Sequence, residues 1–175
     1  IFSGHLPFFL YNLKVINNGK KIINVVNNDR VIEATGSYSD IRISFIDNVK
    51  KIAKSNNVIL VYPVPEVGFH PLRRLANKNI YEDRSFFSSL DLKELSTKFD
   101  NYIERTVESF EMLDSIESSN VSRVYPHEIF CNSFVSGRCV VHDGSFFYYD
   151  DNTHLSQYGS ELVNSVILDN IILNK

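Results

Sequence analysis

No face of this sequence is free to be strongly basic. Its 18 lysines and arginines are spread among 21 acidic residues, for a net charge of −3, so no surface is available to neutralise a run of phosphates. Nucleic acid is therefore not expected as a partner. Long apolar runs are also missing: "VILVY" and "SVILDNIIL" are interrupted well before a bilayer could be crossed. There is no internal repeat and no low-complexity linker. With 175 residues, 43% of them hydrophobic, the chain is long enough for one globular α/β core and too short to expect two, which predicts a single domain over residues 1–175. It opens "IFSGHLPFF", without Met and already in a strand-like run, and so reads as a processed or excised piece of something longer.

What is present alternates between strand and helix patterns. "KIINVVNNDRVIEATG" has β-branched pairs around an Asn-Asn-Asp turn and predicts two short strands or a hairpin. From Asp40 the apolar residues Ile41, Phe45, Val49, Ile52 and Ala53 recur at helical spacing, which predicts an amphipathic helix capped by Asp40. "VILVYP" follows, an all-apolar run stopped by Pro63 and typical of a strand buried on both faces of a parallel sheet. Asp91 and Glu94 have capping-box spacing ahead of a stripe formed by Leu92, Leu95, Phe99, Tyr102, Phe110 and Leu113. "VSRVYP" predicts another strand, and the last helix should begin after Ser156 with Leu162, Val163, Val166 and Ile167 inward. The order points to an open, mainly parallel sheet covered by helices on both sides.

In such sheets reactive groups collect in loops at the carboxyl ends of strands. Asp151 and His154 lie in a tight turn ahead of the final helix. The carboxylate can reach imidazole Nδ1–H while Nε2 points toward a nucleophile, the base-and-orienter half of a hydrolytic triad. A second reading needs no chemistry: Asp151 forms an Asx turn and His154 packs as a partly buried polar residue.

Several separated stretches together resemble one family. "YYDDNTHLSQYGSELV" is similar to the terminal D-x-x-H-L-S-x-x-G block of SGNH (GDSL-like) hydrolases, in the branch fused to membrane acyltransferase-3 proteins. "IFSGHLPFFLY" resembles that branch's S-G-R-F-P block, "LVYPVPEVGFHP" its V-Y-P-I-P-E-V-G-W block, and "VYPHEIFCNSFVSGRC" its segment with two cysteines. The resemblance implies a three-layer α/β/α sandwich lacking its first strand, with Asp151 and His154 as catalytic residues. It also implies serine-dependent O-acyl transfer, with acetyl as the acyl group, or ester hydrolysis on a cell-surface polysaccharide or its acylated precursor. The implied setting is periplasmic or extracytoplasmic, tethered to the inner membrane through an N-terminal acyltransferase-3 domain.

The family takes its nucleophile from a G-D-S block that this sequence does not contain. Ser3 stands in the S-G-R-F-P block, so the resemblance places the serine upstream. Gly4 is the candidate for the oxyanion region, because a glycine after a strand lets a loop approach a bound ester closely. His5 replaces the family's usual Arg and removes a permanent charge and a bidentate donor. A non-catalytic glycan-binding or scaffold domain of the same fold is the other reading, and the missing G-D-S suits it.

Glu66 could line the cleft, since Pro63 and Pro65 stiffen the exit from a buried strand, or could form a structural hydrogen bond to a neighbouring loop. Asp150 reads as a solvated neighbour of Asp151, and "HPLRR" as a small basic surface spot. His127 and His142 show no regular ligand spacing with Asp150 and His154, so neither metal nor cofactor is expected. Cys131 and Cys139 bracket "NSFVSGR". They are two buried thiols or a disulfide, and the extracytoplasmic location implied by the resemblance favours the bridge.

Overall fold

The structure, a computed structural model, describes residues 21–27, 30–36, 38–76 and 91–173. They divide into two compact units: one holds the described residues up to Leu60 with Thr106–Ser122, the other those of Val61–Arg105 and Arg123–Lys175.

In the first unit, β1 (Lys21–Asn27) and β2 (Arg30–Gly36) pair antiparallel from Lys21↔Gly36 to Asn27↔Arg30, the hairpin that their β-branched runs predict. Helix α1 (Tyr38–Ala53) begins two residues before Asp40, which therefore stands inside the helix and does not cap it. Lys50 and Lys51 occupy its last turn, where cations offset the negative end of the helix dipole. The C-terminal carbonyl of Ala53 accepts from Asn120 Nδ2 at 2.8 Å. Val49 and Ala53 are buried, but Ile52 is 42% exposed: the apolar stripe is narrower than the sequence spacing implies.

Strand β3 (Val58–Val61) is buried along its whole length, as a continuous apolar run requires. It pairs with β5 (Val121–Val124). Val58 N–H donates to Asn120 O and, further along, Tyr62 N–H donates to Val124 O, so the two strands run in the same direction. This is the parallel pairing among the described residues; β1–β2 are antiparallel, as are β4 (Ser96–Lys98) and β6 (Arg138–Val140).

The second unit adds α2 (Pro71–Ala76), β4 (Ser96–Lys98), the N-terminal turns of α3 (Phe99–Asp114), α4 (His127–Phe130), β6 (Arg138–Val140) and α5 (Gln157–Leu173). Here the structure corrects the helix expected from Asp91. Asp91 Oδ1 accepts from Lys93 N–H at 2.8 Å and closes a local turn, a strand follows, and α3 starts only at Phe99. The cause is tertiary. Ser96 pairs with Val140, and the Arg138 guanidinium donates to Ser96 Oγ at 2.8 Å and to Ser96 O at 2.7 Å, so these backbone groups are satisfied in a ladder and local helix preference gives way.

Cys131 and Cys139 are joined by a disulfide. It connects the end of α4 to β6 next to the buried side chains of Phe130, Val140 and Val141. Phe130 in turn packs against Tyr148 and Tyr149, with ring centroids 5.2 and 5.8 Å away. This aromatic core supports the segment that leads into the candidate site.

Candidate active site

The segment after Tyr149 is the tip of a small hairpin. Tyr149 and Leu155 form an antiparallel bridge, and Asp150 N–H donates to His154 O at 3.0 Å, so residues 151–153 make the reversal. Its base is anchored twice: Tyr148 N–H donates to Val141 O, and Ser156 N–H to Tyr148 O, each at 2.8 Å.

Within the tip, the two carboxylate oxygens of Asp151 have separate tasks. Oδ1 accepts from the backbone N–H groups of Thr153 and His154, both at 2.7 Å, an Asx-type turn. Oδ2 lies 2.7 Å from His154 Nδ1. The backbone bonds to Thr153 and His154, with the imidazole contact, hold the Asp151 carboxyl well below the usual carboxylate range. An ionised carboxylate only accepts hydrogen bonds, so the proton of this contact sits on Nδ1. His154 thus carries its proton on the nitrogen facing Asp151. Both readings of the sequence meet here: the Asx turn is present, and the imidazole is held by the same carboxylate. The side chains are exposed, His154 by 67% and Asp151 by 36%, so His154 is not a buried packing residue.

The final helix is fitted to this turn. Ser156 is its N-cap: its Oγ accepts from Gly159 N–H at 3.1 Å and donates to Phe147 O at 2.6 Å. Gly159 is there for clearance. A Cβ at that position would stand 2.2 Å from the Tyr148 carbonyl oxygen, so only glycine lets α5 sit this close to the strand that carries the tip. The signal for the cap was in the sequence, a serine just before a helical pattern; the close approach to Tyr148 that requires glycine emerges only from the packing.

The chain leaving the carboxyl end of β3 lies against the tip. Val67 N–H donates to Asn152 O at 3.1 Å. One residue earlier, Glu66 forms an ion pair with Arg105 of α3. Glu66 is thereby placed beside the tip with its carboxylate engaged by a cation that the sequence did not single out.

Ser3, Gly4 and His5 lie outside the described residues. Asp150 is exposed. In the "HPLRR" stretch, the Arg74 guanidinium stands 4.5 Å over the Phe69 ring, a cation–π contact. His127 packs among Phe99, Tyr102 and Tyr125 at 5.5 to 6.0 Å between ring centroids. His142 is fully buried, its Nδ1 accepting from Gly144 N–H at 3.1 Å. Among the described residues no three His, Cys, Asp or Glu side chains come together in a metal-holding group.

Also among the described residues, no helix is long and apolar enough to cross a membrane. No curated protein and no solved structure matches the chain. Residues 8–169 match the family described as SGNH domain (fused to AT3 domains), a group of α/β domains of esterase or acyltransferase type with an acyltransferase-3 partner domain. That match runs from before the first described strand into the last helix and contains the whole Asp151–His154 tip, and the chain accordingly belongs to the SGNH domain family of AT3-fused proteins.

Proposed function

We propose that the chain is a single three-layer α/β/α domain carrying the acid–base half of a serine-dependent O-acyl transferase or esterase. Its substrate is a cell-surface polysaccharide or its acylated precursor, and acetyl is the group transferred. The observation that carries this reading is the 2.7 Å contact between Asp151 Oδ2 and Nδ1 of an exposed imidazole. In the reaction, a serine from a Gly-Asp-Ser block outside these residues gives its proton to His154 Nε2 as its oxygen attacks the acyl carbonyl. The tetrahedral oxyanion collapses, the departing alkoxide takes the proton back from His154, and an acyl-serine remains. A sugar hydroxyl or water, deprotonated by the same imidazole, then releases the acyl group. Asp151 keeps the proton on Nδ1 and stabilises the imidazolium. Gly4 and His5 belong to the oxyanion and substrate region in this reading, and the acyltransferase-3 domain tethers the site at the extracytoplasmic side of the inner membrane.

The test is hydrolysis of p-nitrophenyl acetate by this chain, by a version extended upstream to include the serine block, and by the extended His154→Ala variant. Activity confined to the extended protein and reduced roughly a thousandfold by His154→Ala is the expected result. Equal, His154-independent background in all three would refute the triad and favour a glycan-binding or scaffold domain.

A further inference from the structure

We propose that Arg105 is a positioning residue for the Asp151–His154 pair, acting through Glu66 and segment 63–67. The pair sits on an exposed hairpin tip, where burial does little to fix it. Its internal geometry is set by the Asx turn, but its direction relative to the scaffold needs a further hold. Helix α3 supplies one from two side chains a turn apart. Tyr102 Oη donates to Pro63 O at 2.8 Å, and Arg105 pairs with the Glu66 carboxylate. Between these grips lie Val64 and Pro65, and the fixed φ of Pro63 and Pro65 leaves little slack. Val67 N–H passes the position on to Asn152 O at 3.1 Å, between the two residues of the pair. The chain then turns away at Gly68, whose φ of 73° is left-handed and suits glycine.

Arg105 is 54% exposed, and an exposed ion pair contributes little to stability. Cutting it should therefore leave the fold and disturb the tip. The catalytic consequence rests on the acyl-transfer reading, whereas the geometry does not, and the test separates them. Val67 amide exchange and the His154 imidazole 15N shifts, which report its tautomer, are measured in this chain. The values of kcat and KM are measured in the upstream-extended protein.

For Arg105→Ala we expect Val67 exchange to rise about tenfold while His154 keeps Nδ1–H, because its partner Asp151 is held within the turn. The kcat should fall about tenfold with KM changed less than about twofold. Arg105→Lys, which keeps the charge, should recover part of each change, and Glu66→Gln, which keeps the side-chain size, should shift all of them in the direction of Arg105→Ala. Unchanged Val67 exchange and unchanged kcat in both Arg105→Ala and Glu66→Gln would overturn the proposal. Changed exchange alongside His154-independent activity would support the positioning role and refute the acyl-transfer reading instead.

Discussion

At the scale of single residues, the informative group is the Asp151 carboxylate, because hydrogen bonds from two backbone N–H groups, the Thr153 hydroxyl and the His154 imidazole converge on it while it remains at the surface. Two backbone N–H donors and one imidazole N–H favour its charged form, so its folded pKa lies below its ordinary 3.8. The linkage sign follows: the contribution of Asp151 to stability is present above the ordinary value and is lost as pH falls through the lower, folded one. In a 13C titration the Asp151 carboxyl should still be ionised at pH 3.8, where an unperturbed aspartate is half protonated; a midpoint at the ordinary value would mean the turn does not hold in solution. Asp151→Asn should reduce kcat of the upstream-extended protein by about a hundredfold or more, because an amide that presents N–H to Nδ1 selects the wrong imidazole tautomer. Unaltered kcat would remove Asp151 from the mechanism.

At the scale of elements, α5 and the 131–139 loop decide how firmly the tip is seated. Gly159→Ala forces a methyl group against the Tyr148 carbonyl. It should cost about 1–3 kcal/mol in urea unfolding, with Ser156→Ala costing about 1 kcal/mol through loss of the cap. A neutral Gly159→Ala would show that α5 can back away from the strand. Reduction of the Cys131–Cys139 bond, a closure of sequence separation 8, should lower stability by about 2–3 kcal/mol, read as a lower urea midpoint in dithiothreitol. The elements also show where sequence reading fails. "VILVYP" and the hairpin of β1 and β2 were legible because a buried run and an alternating pair carry their own signal. The stretch from Asp91 was not. Its capping-box spacing is satisfied as a turn, since Arg138 and Val140, more than 40 positions away, claim the backbone that the helix would have used.

At the scale of the whole molecule, buried His142 and half-buried His127 add to acid sensitivity. Burial lowers the pKa of both His142 and His127 below 6.5, with smaller opposing pulls from Asp143 and Glu128. The unfolded chain therefore binds protons that the folded chain refuses. Stability is full above pH 6.5 and falls as pH drops from there toward the folded values. The thermal midpoint should be lower at pH 5 than at pH 7, and His142→Asn, whose Oδ1 can still accept from Gly144 N–H, should narrow that difference. An equal difference in wild type and variant would assign the acid sensitivity elsewhere.

What the sequence by itself determined is local. The Asx turn, the Asp151–His154 contact and the Ser156 cap all arise within a nine-residue stretch, where backbone geometry brings the partners together without any distant closure. The tertiary structure alone decided what holds that stretch in place. Glu66 and Arg105 are 39 positions apart, and Val67 must meet Asn152 across a still longer span. Such contacts require loop closures whose entropy cost is offset only when the intervening strands and helices pack, so no spacing in the sequence could announce them.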